Sequence, residues 1–293
     1  MTQLFDTIAI VGVGHIGSSI ARRVKRDGLA RRIVALESKP EHREQALQLG
    51  VVDAATGNAK EAVADADLVI VCTPIGTYAE IGAAIAPLLK KGAIVSDVGS
   101  VKMAAVRDLG PSIPAHAYFV PGHPVAGTEH SGPTAGFPEL FDGRWTILTP
   151  TPGTDAAAVE KVAALWRAMG SNIETMDPAH HDQVLAIVSH LPHLIAYTIV
   201  GTATDLEKTL QQEVIKFSAS GFRDFTRIAA SDPTMWRDVF LNNREAVLEV
   251  LQRFTEDLTA LQRAIRWGEG DKLYDLFSRT RAIRRSIIDA KQA

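Results

Sequence analysis

The sequence predicts an α/β fold, with an N-terminal Rossmann-type domain built on a mostly parallel sheet, followed by an all-α C-terminal domain. Three observations carry that prediction. Short apolar runs alternate with helical patterns through the first half of the chain. The glycine fingerprint Gly12-Val13-Gly14-His15-Ile16-Gly17 opens directly after the first of those runs. From Pro178 onward no strand pattern recurs, and apolar residues return at helical spacing. At 293 residues there is room for two domains, and the boundary falls near residue 176, giving 1–176 and 177–293.

Taken in order, Thr7–Val11 is the first strand, entering the glycine turn, and His15–Asp27 is the helix that leaves it. Arg32–Leu36 is the second strand, ending at Glu37, and Glu41–Leu49 is helical. Leu68–Cys72 and Ala93–Ser96 are further buried strands, Val101–Asp108 is a helix, and the strand Tyr118–Val120 ends at a loop carrying His123. Trp145–Leu148 and Ile173–Thr175 add two strands around a helix over Asp155–Met169. Beyond Pro178 the pattern predicts helices over Asp182–Thr204, Leu206–Phe217, Asn242–Trp267 and Asp271–Lys291. The stretch Gln183–Thr204 carries no Asp, Glu, Lys or Arg, which is long enough for a membrane span. Ser189, His190, Pro192 and His193 sit in its middle, so it is expected to be a buried central helix of a soluble domain.

Apolar residues make up 46% and charged residues 22% of the chain, the proportions of a soluble globular protein. A net charge of −3 without a basic arm argues against nucleic acid as a partner. The single cysteine, Cys72, rules out an internal disulfide or a multi-cysteine zinc site and fits the reducing cytoplasm. Residues 1–6 lack the basic and apolar regions of a signal peptide.

The fingerprint asks for a dinucleotide. Gly12 allows the tight turn, Gly14 lets the backbone approach a pyrophosphate, and Gly17 permits close packing of helix on strand. His15 and Ile16 lie inside the motif at the helix amino end, where free N–H groups meet phosphate; the His15 ring is expected to face solvent or the pyrophosphate. Glu37, twenty positions after Gly17, is placed to accept hydrogen bonds from the adenosine ribose, which favours NAD over NADP. Ser38, Lys39 and Arg43 close behind could hold a 2′-phosphate if Glu37 turned away, and a strand-end carboxylate can also simply be solvated. Thr73-Pro74 follows a strand and so belongs to the carboxyl edge of the sheet, where ligands bind.

About 110 residues after the fingerprint comes Phe119-Val120-Pro121-Gly122-His123-Pro124-Val125-Ala126-Gly127-Thr128-Glu129. His123, held between a glycine and a proline, is a candidate proton acceptor beside the cofactor, which points to a nicotinamide-dependent dehydrogenase. An unperturbed imidazole places the fall in kcat near pH 6.5. Ser100, in Gly99-Ser100-Val101-Lys102, is either the N-cap of the following helix or a hydroxyl that orients His123 and the nicotinamide, roles that one residue can combine. In Ser189-His190-Leu191-Pro192-His193 the imidazoles share a helical face, and contact with substrate is favoured over a metal because no carboxylate or cysteine stands at ligand spacing. Asp224 and Arg227 are spaced for a helical ion pair, and Arg227 is suited to anchor a substrate carboxylate.

These motifs, in this order and across essentially the whole chain, resemble the prephenate and arogenate dehydrogenase family of tyrosine biosynthesis. GSVK, GHPxAGTE, SHLPH and the run from Phe222 to Trp236 carry the resemblance. It implies a catalytic pair of His123 and Ser100, and substrate binding by His193 and Arg227 with Glu129, His190, Gly221, Asp224 and Trp236 around the pocket. It further implies NAD as cofactor, oxidative decarboxylation without a metal, and a homodimer formed through the helical domain, with tyrosine a candidate inhibitor at the active site. Between prephenate and arogenate the residues do not choose. A β-hydroxyacid-type dehydrogenase would need a helical lysine with asparagine four positions later, whereas Lys216 has Ser220 there. A non-catalytic NAD sensor would not need a fixed histidine at the nicotinamide edge.

Overall fold

The computed structural model describes residues 3–128, 130–205, 213, 216 and 219–289. In chain order its first part reads β1 (Phe5–Val11), α1 (His15–Arg26), β2 (Ala30–Leu36), α2 (Pro40–Gln48), β3 (Ala54–Thr56) and α3 (Ala59–Val63). Then follow β4 (Leu68–Val71), α4 (Tyr78–Ile85), β5 (Ile94–Asp97), α5 (Lys102–Asp108) and β6 (Tyr118–Val120). The six strands form one parallel sheet in the order β3-β2-β1-β4-β5-β6, so the chain reverses its direction of winding between β1 and β4.

Strand alternation explains why both faces of this sheet are covered. Ile8, Ile10, Leu68 and Ile70 point into one core with Ile20 and Val24 of α1. Ala9, Val11, Val69 and Val71 point into the other, with Tyr78 and Ile85 of α4 and Ala104 and Ala105 of α5. Each fully buried aliphatic side chain contributes about 1.5–3 kcal/mol on leaving water. After α1 the chain reverses through Gly28 at φ +64°, with Gly28 N–H bonded to Lys25 O and Leu29 N–H to Val24 O. That left-handed cap needs glycine.

A second, three-stranded sheet follows: β7 (Gly122–Pro124) lies antiparallel to β8 (Trp145–Leu148), which lies parallel to β9 (Asn172–Thr175). The strands expected at Trp145–Leu148 and Ile173–Thr175 therefore do not extend the main sheet. His123 lies not in a loop but at the centre of β7, opposite Ile147, a three-residue strand whose Gly-His-Pro sequence has no strand signature. Between β8 and β9, α6 (Ala156–Ala168) adds Val162 and Trp166 to the first core, and Asp155 caps it by accepting from Ala158 N–H.

From Pro178 the chain is helical. α7 (Pro178–Leu185), a π turn over Ala186–His190 and α8 (Leu191–Thr204) make one continuous helix. Pro192 lacks the N–H that would bond to the Val188 carbonyl, and its ring crowds that carbonyl; the widened turn just before it accommodates both. Among the described residues this helix alone has the length and hydropathy of a membrane span. It is not the buried helix that was expected: Ile187 is 57% and Val188 63% exposed, and within α8 only Ala196 is buried. Next come α9 (Ser220–Thr226), a short turn over Arg227–Ala230, and α10 (Pro233–Asn242), whose Trp236 and Val239 join the second core. Apart from Glu213 and Lys216, the helix expected over Leu206–Phe217 lies outside the described residues.

By internal contacts the chain divides into two compact units, Met1–Arg244 and Glu245–Ala293. The second comprises most of α11 (Arg244–Arg266) and all described residues of α12 (Gly270–Asp289). Leu248, Leu258, Ile265, Tyr274, Phe277 and Ile283 in these helices, and Trp267 in the turn between them, are exposed.

Candidate active site

The carboxyl ends of the parallel strands bring the expected groups to one edge. Gly12, just beyond β1, has φ +90°, and a Cβ there would lie 2.9 Å from Thr73 Cγ2 and 3.2 Å from the Cys72 carbonyl carbon. Gly17 packs so closely on the turn that a Cβ would collide with the Gly12 carbonyl oxygen. Gly14, by contrast, has nothing within 4 Å of where a Cβ would be, and it caps α1 without a side-chain partner. The backbone at the amino end of α1 is thus open on the side where a Gly14 side chain would stand, the room a pyrophosphate requires. Ile16 is half-buried beside the first core. His15 does not turn to solvent: it is 9% exposed, and its Nδ1 lies 3.0 Å from the Ala135 carbonyl, to which it donates.

Glu37, 8% exposed, accepts from Val13 N–H at 3.0 Å and from Lys39 N–H at 3.0 Å. It is therefore a buried brace of the glycine turn, not a solvated strand end. Arg43 donates to the Glu37 and Ser38 carbonyls at 2.7 and 2.9 Å, so its guanidinium is committed to the main chain. Thr73 accepts from the Thr77 hydroxyl at 2.8 Å, and Pro74 precedes the turn into α4. Cys72 lies beneath Gly12, and burial pushes its thiol far up, consistent with a core residue.

Beyond β5, a buried polar cluster holds the turn that contains Ser100. Asp97 accepts from Gly99 N–H at 2.9 Å, Tyr78 Oη at 3.0 Å and Gly122 N–H at 3.2 Å, and it pairs with the ammonium of Lys102. Lys102 is fully buried and also donates to the Gly122 carbonyl at 2.6 Å. The residue before His123 is thus gripped at both backbone polar groups. Gly122 has no positive φ; it is needed for room, since a Cβ would lie 3.2 Å from the Asp97 carbonyl oxygen. Ser100 does not cap α5. The cap residue is Val101, and the first N–H groups of the helix, on Lys102 and Met103, go to the carboxylate of Asp182 at 2.7 and 2.9 Å.

His123 is 7% exposed, and its Nδ1 lies 2.8 Å from Nε2 of His181. Nδ1 of His181 lies 2.8 Å from Asp182 Oδ1. Burial holds the His123 ring well below its usual pKa, and the nearby His181, Lys102 and His190 act in the same direction. His123 is therefore neutral at neutral pH. Burial also lowers His181.

His190 and His193 both belong to this neighbourhood but do different things. His190 is fully buried, accepts at Nδ1 from Asn243 Nδ2 at 3.1 Å, and is pushed down to about 4 by burial. Its Nε2 and the Trp236 Nε1 are buried donors without a protein partner among the described residues. His193 stacks on Trp236 with ring centroids 3.6 Å apart and donates at Nδ1 to the Ser189 carbonyl at 2.8 Å. Arg227 lies close enough to help lower the His193 pKa, after burial. It starts the turn after α9, with Gly221 and Asp224 on α9 itself, all three exposed. Glu129 lies outside the described residues. Sequence reasoning did not single out His181, Asp182, Asp97, Tyr78 or Asn243. The visible signal was an ionisable pair, His181-Asp182, at the entrance of a helix otherwise free of charge.

Comparison with known proteins agrees with this geometry. Residues 20–175 match the family described as prephenate dehydrogenase, nucleotide-binding domain, and residues 177–279 match prephenate dehydrogenase, dimerization domain. The chain is 42% identical over 285 residues to the cyclohexadienyl dehydrogenase of Zymomonas mobilis, covering 97% of each protein. It is 34% identical over 278 residues to the prephenate dehydrogenase of Bacillus subtilis, covering 94% of this chain and 75% of that protein. The crystal structure of prephenate dehydrogenase from A. aeolicus in complex with hydroxyphenyl propionate and NAD+ superposes with a TM-score of 0.89 at 35% identity, covering 96% of this chain and 98% of that one. With both halves matched and identity sustained along its length, the chain belongs to the prephenate dehydrogenase family.

Proposed function

We propose that His123 is the general base of an NAD-dependent oxidative decarboxylation of prephenate, arogenate or both, in tyrosine biosynthesis. The observation that carries this is a neutral, buried imidazole fixed at the carboxyl edge of a dinucleotide-binding sheet. It is supported by family membership and by relatives described as cyclohexadienyl and prephenate dehydrogenases. Gly12, Gly14 and Gly17 would hold the pyrophosphate at the α1 amino end, with Glu37 toward the ribose and Thr73, Pro74 and Ser100 lining the edge. NAD+, when bound there, supplies the hydride acceptor.

His123 takes the proton of the ring hydroxyl as the carbinol carbon gives up hydride. Loss of carbon dioxide across the ring leaves a phenolate, and the same proton returns to its oxygen. The base is thus regenerated without solvent, and aromaticity supplies the driving force. Arg227 anchors a substrate carboxylate, and His193, braced on Trp236 and bonded through Nδ1 to the Ser189 carbonyl, is left with its Nε2 for the substrate. The buried donors on His190 and Trp236 suit an acceptor on the same ligand. Tyrosine, which keeps the ring and side chain, is expected to compete there.

The functional boundary is placed at residue 176, with the helical half both completing the substrate pocket and forming a homodimer. The exposed apolar residues of α8, α11 and α12 support that dimer, since so large an uncovered set is unusual on a monomer. The protein is read as soluble and cytoplasmic, because His181, Asp182 and His190 of the apolar helix are bonded to polar protein groups. NADH formation from NAD+ with prephenate, repeated with arogenate, tests the reading; turnover with neither substrate would overturn it.

A further inference from the structure

We propose that His181 and Asp182 are positioning residues that hold His123 as the Nδ1–H tautomer, leaving Nε2 as the bare nitrogen that takes the substrate proton. The inference rests on the assignment of His123 as base and adds two residues, and a hydrogen-bond polarity, to it. Asp182 anchors the direction. Its two oxygens receive Lys102 N–H and Met103 N–H at the start of α5, and as a carboxylate it can only accept. The contact between Asp182 Oδ1 and His181 Nδ1 is therefore donated by the histidine. A neutral His181 then presents a bare Nε2, and the His123 Nδ1 lying 2.8 Å away must carry the hydrogen between them. One consistent set of tautomers follows, with every proton pointing toward Asp182.

The opposite polarity would require His181 to carry two protons. Burial works against that charge, and the ammonium of Lys102 reinforces the effect, although Asp182 and Asp97 oppose it. The ring centroids are 5.1 Å apart with 67° between planes, a separation that puts the 2.8 Å N···N line in the plane of both rings, so the bond fixes ring orientation as well as tautomer. When Nε2 of His123 is protonated, Nδ1–H remains donated to His181, and the transient cation is polarised toward Asp182. The elements involved are β7, α7 and α5, whose association at this point is maintained by the same carboxylate that caps α5. Asn243 donates to the Asp182 carbonyl at 2.8 Å and fixes α7 from its other side.

The test uses the full-length enzyme labelled with 15N-histidine. The ring nitrogens of His123 are assigned by the loss of their signals in His123→Asn, and its tautomer is read near pH 7.5. The expected result is a protonated Nδ1 and a bare Nε2; the reverse overturns the proposal. Steady-state kinetics with NAD+ and prephenate supply the second arm. His181→Met removes the acceptor at similar volume and should lower kcat by about 10² or more, with both KM values nearly unchanged. His181→Gln, whose amide oxygen can reach the former Nε2 position, should recover about tenfold of that loss, a rescue that a space-filling role would not distinguish. If His181→Met keeps kcat within about threefold, with the acid limb unmoved, while His123→Asn has lost turnover, the relay is wrong and the base stands. If His123→Asn itself retains turnover, the base assignment falls first. Should His181→Met fail to fold, the tautomer of the unmodified enzyme and the Gln variant decide.

Discussion

The glycine turn and the His123 site sit at the same sheet edge but are built in opposite ways. The glycine turn is local and made mostly of main chain: Gly12, Gly14 and Gly17 fall within six residues, and apart from the Glu37 carboxylate that accepts from Val13 N–H, what matters is the absence of side chains. The His123 site is dispersed and made of buried side chains, drawn from β5, α5, β7 and α7, with Asp97 and Asp182 eighty-five residues apart. A main-chain site tolerates side-chain changes around it. A buried polar network fails as a unit, because each member left unpaired bears its full desolvation cost.

That difference can be broken first at Lys102. Lys102→Met should leave Asp97 buried without its cation and destabilise the protein by about 3–5 kcal/mol, with kcat falling as Gly122 is released. Adding Asp97→Asn should recover part of the stability, measured by denaturant unfolding; two independent, additive losses would contradict the network. Acid stability comes next. His15, His123, His181, His190 and His193 are all lowered, chiefly by burial, so between their folded and unfolded pKa values the unfolded chain binds more protons. Stability is therefore complete above about pH 6.5 and declines as pH falls below it. For His190, lowered to about 4, the loss is on the order of 3 kcal/mol once the pH has fallen through that value. Calorimetric Tm should drop steadily from pH 6.5 to 4.5, and His190→Gln should flatten the slope; a level Tm would show that these rings are not buried neutral.

Legibility in the sequence follows the same divide. The strand periodicities and the fingerprint could be read because each signal is confined to one segment whose neighbours are fixed by the chain itself. His123, His193 and Arg227 were visible as residue types in motifs, yet their partners were not. No local pattern says that Asp182 will cap a helix begun at Lys102, or that His181 will face His123 across 58 positions. Ser100 was open to two readings, a cap or a hydroxyl that orients His123, because the residue before a helix is the usual place for a cap; at the helix end a long-range carboxylate takes the N–H groups instead. The three-residue strand β7 was missed for a related reason: its pairing with β8 is decided by the fold and not by its own composition.

Two smaller effects sharpen the comparison. With Arg227 in its proposed role, Arg227→Gln should remove a charge-assisted contact worth about 1.5–3 kcal/mol, raising KM for prephenate roughly tenfold to a hundredfold while KM for NAD+ stays put. An unchanged substrate KM would place the carboxylate anchor elsewhere. Glu37→Ser should have the smallest effect, narrowing the preference for NAD+ over NADP+ by about tenfold, because main-chain groups still hold the pyrophosphate. Equal kcat/KM for both cofactors in the unmodified enzyme would contradict the role given to Glu37.

The central claim is that His123 accepts the proton while the main-chain site holds the cofactor independently of it. The most direct measurement compares kcat across pH 4.5–8.5, and NAD+ affinity, in the unmodified enzyme and in His123→Asn. The account predicts a fall in kcat of about 10² or more at neutral pH, NAD+ binding within about twofold, and an acid limb below pH 6.5 in the unmodified enzyme that is absent from the variant. A variant that keeps most of its turnover with the same acid limb would show that His123 only braces β7.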